Sequence, residues 1–103
     1  YVGDGWFDII DDLCSVIENY IFELPEELRH YIFVEQIKEK FGGLRFYMSQ
    51  TTPFIDGAIS AAESISFHTC EVCGNPGKLV SIKGWRRVLC QHDFETLSEN
   101  SMK

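Results

Sequence analysis

The sequence predicts a single small α+β domain, in which two main helices pack on a β-hairpin and a second hairpin module follows. Three observations predict this fold class. Apolar residues recur at helical spacing in two segments, side chains alternate on both sides of Gly42-Gly43, and a cysteine pair introduces a second alternating segment. With 103 residues, of which 45% are hydrophobic, the chain can bury one modest core. We therefore assign residues 1–103 to one domain, with a helix/hairpin/helix core at 1–67 and a C-terminal module at 68–103.

The first main helix is predicted between Trp6 and Tyr20. Acidic and polar residues fill its outer faces and its first turns, where carboxylates suit the positive end of the helix dipole. Its inward face is formed by residues at helical spacing: Ile10, Leu13, Cys14, Ile17 and Ile21. We interpret Cys14 as a small buried hydrophobic residue on this face. A short helix follows, with Pro25 at a favourable first position.

Residues 32–49 predict the first hairpin, with the turn at Gly42-Gly43. The run after the glycines places three residues on the core face: Leu44, Phe46 and Met48. Arg45 and Tyr47 then share the opposite face, which makes them candidates for binding a ligand.

The second main helix is predicted to begin after Thr52, whose side chain can cap the first turn, with Pro53 at the next position. Its core face carries four residues at helical spacing: Ile55, Ile59, Ala62 and Ile65. This helix leads directly into the cysteines.

The stretch Cys70-Glu71-Val72-Cys73-Gly74 has the spacing of a zinc knuckle. Two residues between the cysteines let both thiolates point at one tetrahedral centre, and the glycine lets the backbone turn back. The segments KLVSI and WRRVL, joined by Lys83-Gly84, predict a hairpin that returns the chain to Cys90, before a short helix. This order is the ground plan of zinc ribbons and treble clefs. We therefore expect Cys70, Cys73 and Cys90 to bind zinc in a zinc-ribbon or treble-clef-like module.

The fourth zinc ligand is open between three residues. His92 is the first choice, because Cys90-x-His92 can place an imidazole beside the third sulfur and Cys3His is an ordinary structural set. Asp93 would keep the usual two-residue spacing, but carboxylates are unusual in structural sites. His68, two residues before Cys70, is the third candidate.

The expected cofactor is a structural Zn2+ ion. A catalytic zinc keeps one position for water and usually has a general base nearby. Zinc-dependent nucleobase deaminases combine Cys-x-x-Cys with a His-x-Glu, and no His-x-Glu precedes the cysteines here. We assign no catalytic residues and do not expect an enzyme. Disulfides are disfavoured, because Cys-x-x-Cys spacing is typical of metal or redox sites in reducing compartments.

The formal net charge of −7 is unevenly distributed. Acidic residues crowd the first third of the chain, whereas cations surround the cysteine segment: Lys78, Lys83, Arg86 and Arg87. The overall acidity argues against indiscriminate DNA binding. Two interpretations of the basic hairpin remain open: Trp85 and its neighbouring cations bind nucleic acid, or Trp85 covers the zinc module and the cations are only solvated.

The sequence predicts neither a membrane span nor a signal peptide, since it has no run of about 18 apolar residues and no basic-then-apolar N-terminal pattern. A cytoplasmic protein is therefore expected. The first residue is Tyr1 and not methionine, which leaves open whether the native N-terminus is complete. The oligomeric state is not indicated.

Three blocks of the chain, GDGWFDIIDDLCSVI, QIKEKFGGLRFYMS and TCEVCGNPGK, precede a GW…LC segment followed by a histidine. In these blocks, most of the chain resembles a family of small tailed-phage and prophage proteins to which no reaction is assigned. The last ligand pair of that family is often C-x-x-H, whereas this chain has Cys90-Gln91-His92-Asp93. The resemblance implies a bacteriophage accessory protein.

We therefore expect a non-enzymatic, phage-encoded zinc-binding protein in the cytoplasm of the infected bacterial host. Its expected partner is a host protein, such as a defence or regulatory protein that it inhibits. The alternative is a nucleic-acid-binding regulator that uses Lys83, Trp85, Arg86 and Arg87. A weaker alternative is a binder of a small nucleotide signal, which Arg45 and its aromatic neighbours would hold.

Overall fold

The computed structural model describes residues 2–101 and has the predicted α+β fold. A 3-10 turn, Asp4–Trp6, leads into four helices: α1 (Phe7–Phe22), α2 (Glu26–Arg29), α3 (Pro53–Ser66) and α4 (Gln91–Ser101). Four strands form two antiparallel hairpins: β1 (Val34–Lys40) with β2 (Gly43–Met48), and β3 (Lys78–Ile82) with β4 (Trp85–Leu89). None of the helices in this range is long and apolar enough to cross a membrane.

The larger core lies where α1 and α3 pack together with β2. Its buried residues come from all three elements: Leu13, Ile17, Phe46, Ile55, Ile59 and Ala62. The amphipathic pattern of α1 is therefore confirmed, and so is that of α3 except at Ile65. Cys14 is partly buried against this core, and burial raises the pKa of its thiol, as do the nearby carboxylates of Asp11 and Glu18. A protonated thiol is a poor nucleophile, so Cys14 serves as a packing residue.

Helix α3 also covers the free edge of β2. Thr52 caps the helix as predicted, accepting a hydrogen bond from the N–H of Ile55. Ile65, predicted to face the core, is instead 53% exposed, and the neighbouring Ser66 is buried. The Ser66 hydroxyl accepts a hydrogen bond from the N–H of Leu44 (3.0 Å), while Glu63 accepts one from the N–H of Phe46 (3.0 Å). The helix is rotated toward Ser66 because these two edge donors need acceptors.

Both hairpins turn through two residues with positive φ. The predicted turn at Gly42-Gly43 is wrong by one residue, since Lys40 pairs with Gly43 and the turn consists of Phe41 (φ 53°) and Gly42 (φ 91°). The second turn, Lys83 (φ 52°) and Gly84 (φ 84°), is as predicted. Positive φ at both central positions is the type I′ pattern, which favours Asn or Gly. Phe41 therefore occupies a strained position, at a cost of about 1–3 kcal/mol.

Trp6 joins the first hairpin to the cysteine module. Its side chain is fully buried in a second core with Leu44 of β2 and Val88 of β4, and its Nε1–H donates to the carbonyl of Thr69 (2.9 Å). Next to it, the N–H of Gly5 donates to the carbonyl of Glu71 (2.9 Å). We call this contact, formed by Gly5, Trp6, Leu44 and Val88, the tryptophan joint. Through this joint, the two halves of the chain share a core. The division of the chain into residues 1–67 and 68–103 remains a prediction.

Gly5 allows the close approach that the tryptophan joint requires. A Cβ atom at this position would overlap the carbonyl oxygen of Cys70 and lie 2.7 Å from the backbone nitrogen of Gly74. The N-terminal turn thus lies directly on the segment that carries the first two cysteines.

We predict that Trp6→Ala lowers the free energy of unfolding by about 3–5 kcal/mol, because it leaves a cavity in the joint and removes the hydrogen bond to Thr69. Urea unfolding followed by circular dichroism measures this change. Trp85→Ala is the matched control, since Trp85 is 76% exposed and its removal should change stability by less than about 0.5 kcal/mol. Equal losses in the two variants would contradict the role of the joint.

Candidate metal centre

The first two cysteines lie on a tight backbone turn. The N–H of Cys70 donates to the carbonyl of Asn75 (2.8 Å), and the N–H of Gly74 donates to the carbonyl of Cys70 (2.9 Å). Gly74 has φ of 82°, the left-handed conformation that the sequence analysis requires of it. These bonds direct both thiols to the same side of the turn, as in a zinc knuckle.

The second pair of polar groups lies where β4 meets α4. The β3–β4 hairpin returns the chain to Cys90, which immediately precedes the first residue of α4. Asp93 lies in the first turn of that helix, and its N–H donates to the Sγ of Cys90 (3.4 Å). The knuckle, hairpin and helix therefore follow one another in the predicted order.

Four side chains converge at this point: Cys70, Cys73, Cys90 and Asp93. Their candidate ligand atoms all lie within 4.8 Å of one another. The Sγ atoms of Cys73 and Cys90 are 3.7 Å apart, and Oδ2 of Asp93 lies 3.2 Å from the Sγ atoms of both Cys70 and Cys90. All four cysteines of the chain are free of disulfides.

These contacts shift the pKa values of Cys73 and Asp93. A hydrogen bond donated by the Asn75 backbone N–H to the Cys73 sulfur lowers the pKa of that thiol, but the Asp93 carboxylate, desolvation and the two neighbouring thiols outweigh it and raise the pKa to about 12. Hydrogen bonds from the thiols of Cys73, Cys70 and Cys90 lower the pKa of Asp93. The carboxylate is therefore ionised and surrounded by thiol donors. A metal cation would take the place of those protons.

The spacing of the cluster fits a tetrahedral metal. Zinc–sulfur bonds of about 2.3 Å place two thiolates about 3.8 Å apart across a tetrahedral zinc ion, close to the 3.7 Å between Cys73 and Cys90. The corresponding sulfur–oxygen separation is about 3.6 Å, so Asp93 needs only a small shift from its 3.2 Å contacts. The site is compatible with a metal held by Cys70, Cys73, Cys90 and Asp93.

The structure places Asp93, and not His92, beside the three sulfurs. The reason is helical geometry: each residue advances about 100° around an α-helix, so a side chain three positions after Cys90 returns to its side while one two positions after it points away. His92 is exposed to solvent. His68 is exposed as well, and its carbonyl accepts a hydrogen bond from the N–H of Gly77 (2.9 Å). The geometry therefore favours Asp93, the second choice, over His92 as the fourth ligand.

A partly buried ion pair lies next to the cluster. Glu71, between the two knuckle cysteines, is buried and accepts a charge-assisted hydrogen bond from Nε of Arg87 on β4. The N–H of Glu71 also donates to the carbonyl of Val88 (2.9 Å). Arg87, a candidate for contacting nucleic acid, thus ties the knuckle to the hairpin. This role of Glu71 cannot be predicted from the sequence, since nothing in a C-x-x-C spacer distinguishes a buried acid from an exposed one.

The other candidate binding residues are separated into two groups. Arg45 is partly buried on β2, with its Nη1 3.8 Å from Oε1 of Glu63, and Lys38 lies over the ring of the exposed Tyr47. Trp85 and Arg86 are exposed at the second turn next to Lys83. With 76% of its surface exposed, Trp85 does not cover the metal module, and that part of the interpretation is wrong.

Comparisons of the chain with protein-family models, with curated proteins and with solved structures give no match. The function of the chain is therefore inferred from the geometry of the described residues and from the resemblance of the sequence blocks to small tailed-phage and prophage proteins.

We predict that Asp93→Ala weakens metal binding at least about tenfold, because it removes one of four ligands, whereas His92→Ala leaves the affinity unchanged. Titration with Co2+ checks this, since thiolate coordination gives a charge-transfer absorption and tetrahedral geometry gives strong visible bands. A loss of affinity in His92→Ala with none in Asp93→Ala would restore His92 as the ligand.

Proposed function

We propose that the protein is a non-enzymatic binding protein whose C-terminal half is held together by a structural Zn2+ ion. Soft thiolates and tetrahedral spacing favour zinc over magnesium or calcium, which prefer oxygen ligands and higher coordination. The ion would be held by Cys70, Cys73, Cys90 and Asp93. Its chemical contribution is to fix the knuckle against the start of α4.

The observation that carries this proposal is the complete set of four protein groups around one centre. A catalytic zinc has three protein ligands and keeps its fourth position for water. Here Asp93 approaches two of the sulfurs at 3.2 Å and would occupy that fourth position. A closed set of ligands favours a structural ion over a catalytic one.

The binding role of the proposal is supported by the blocks that resemble phage accessory proteins. A small phage-encoded protein that carries out no chemistry would act by binding a macromolecule of the infected bacterium, in its cytoplasm, and could thereby inhibit a host defence or regulatory protein. Of the alternative functions, the binding of a small nucleotide by Arg45 has the least support. The guanidinium of Arg45 already lies near the carboxylate of Glu63, which would compete with a phosphate.

We predict that one zinc ion binds per chain and that its removal with a chelator lowers the melting temperature by about 10 °C or more, the shift that a loss of about 2 kcal/mol causes in a domain of this size. Cys73→Ser should have the same effect without a chelator. Metal analysis and thermal unfolding followed by circular dichroism check both results. Cys14→Ala, which lies outside the cluster, is the control and should retain its zinc. Identical unfolding of the chelated and zinc-loaded proteins would contradict a structural ion.

We predict that immobilised, zinc-loaded protein retains a macromolecule from bacterial lysate, and that the chelated protein does not. The lysate is divided into nuclease-treated and untreated halves, and both protein and nucleic acid are identified in the eluates. Retention of neither by the folded, zinc-loaded protein would contradict the binding function.

A further inference from the structure

We propose that the two hairpin turns together bind single-stranded nucleic acid. This inference rests on the proposed binding function and names its partner. The surface concerned consists of Lys40, Phe41, Lys83, Trp85 and Arg86, and we call it the hairpin-tip surface.

The two turns lie side by side, and an open cleft of about 700 Å3 lies between them. The cleft is lined by residues of both hairpins: Glu39, Lys40, Phe41, Gly84, Trp85 and Arg86. Gly42 allows the first turn to approach the second hairpin closely, because a Cβ atom there would lie 2.6 Å from Cδ1 of Leu79 and 3.2 Å from the backbone of Arg86. The hairpin-tip surface is therefore continuous, although some of its residues precede the knuckle in the sequence and the others follow it.

Two large aromatic side chains of this surface face solvent. Phe41 is 65% exposed and Trp85 is 76% exposed. Phe41 has a φ of 53°, a conformation that disfavours a bulky side chain, and its exposed ring gains little from burial in return. The Lys40 ammonium lies over this ring, 5.6 Å from its centroid, so a cation and an exposed aromatic face stand side by side at a strained residue, which makes Phe41 a candidate for function. Exposed aromatic rings in an aqueous cleft suit a partner with flat apolar faces, such as the bases of an unpaired strand.

The cations of the protein are concentrated on the same hairpins. Seven of its nine lysines and arginines lie on them: Lys38, Lys40, Arg45, Lys78, Lys83, Arg86 and Arg87. Helix α1, by contrast, contains four acids and no lysine or arginine. Cations beside stacking rings match a phosphate backbone that carries bases. A charge-complementary partner for this surface is therefore anionic and aromatic at once.

The nearby acidic groups leave the Phe41–Trp85 cleft available to an anion. Glu39 is the acid that lines this cleft, and its Oε2 accepts a hydrogen bond from the N–H of Gly42 (2.7 Å), so its charge is directed at the turn. Asp4 and Glu71 line the neighbouring cleft, where Arg87 is already paired with Glu71. The strand is therefore expected to cross between Phe41 and Trp85, and not over Arg87.

The test is fluorescence anisotropy of labelled oligo-dT and oligo-U, about 12 nucleotides long, titrated with the zinc-loaded protein at several salt concentrations. We expect binding that weakens with salt and exceeds binding to a duplex of the same length. Stacking should also quench the fluorescence of Trp85, while the buried Trp6 keeps its emission. Absence of binding at about 50 mM salt, or equal binding of duplex and single strand, would overturn the proposal.

Variants separate stacking from general attraction by charge. Trp85→Ala and Phe41→Asn should each weaken binding about tenfold, and Arg86→Ala should weaken it and flatten the salt dependence. Phe41→Asn is informative because Asn suits a type I′ turn, so the variant should be at least as stable as the parent while binding worse. Phe22→Ala is the matched control, since Phe22 is also 65% exposed but lies at the end of the acidic helix α1. Unchanged binding in Trp85→Ala and Phe41→Asn would overturn the proposal.

The metal content of every sample keeps this test distinct from that of the proposed function. If the zinc-loaded protein retains a host protein in nuclease-treated lysate but binds no oligonucleotide, the inference is wrong and the proposed function stands. If the parent protein holds no zinc, the proposed function is wrong independently of the binding result.

Discussion

Burial of Trp6 is the interaction on which the arrangement of the molecule depends. The two hairpins belong to separate two-stranded sheets, with no strand pairing between them among the described residues. Their relative position is therefore set by side chains, and Trp6 fills the space between Leu44 and Val88 while donating to Thr69. An indole ring suits this place because it buries a large apolar area and still satisfies its one polar group. The same contact holds the knuckle near α1 and brings the two turns next to each other.

The sequence pattern predicts what depends on periodicity and misses what depends on tertiary contact. Helices α1 and α3 and both hairpins follow from spacing, because one face of each meets a core. Ile65 and Ser66 show the limit of that argument: hydrophobicity favours burying Ile65, but two backbone donors on the edge of β2 require acceptors, and Ser66 with Glu63 supplies them. The burial of Trp6 is equally invisible in the sequence, since its partners lie far along the chain.

The metal centre shows a similar division. The thiol positions follow from local chemistry, because C-x-x-C and a returning hairpin bring three sulfurs together in any sequence that forms the knuckle. The fourth ligand can be assigned to His92 or to Asp93 only when the first residue of α4 is known. With the helix starting at Gln91, Asp93 turns back toward Cys90 and His92 turns away. Ligand preference favours histidine, whereas the backbone geometry favours the carboxylate.

An acidic protein can bind an anionic strand if its charges are far enough apart. Opposing charges separated by more than about 8 Å are largely screened at physiological ionic strength, so the local groups decide the potential at a surface. The acids that line the two clefts are Glu39, which accepts a hydrogen bond from the N–H of Gly42, and Asp4 and Glu71, of which Glu71 is paired with Arg87; the four acids of α1 lie on a separate element. The net charge of −7 therefore limits indiscriminate binding along α1 while Lys40, Lys83 and Arg86 act at short range. Stacking on Phe41 and Trp85 adds a contribution that salt does not screen, which is why an unpaired strand is favoured over a duplex.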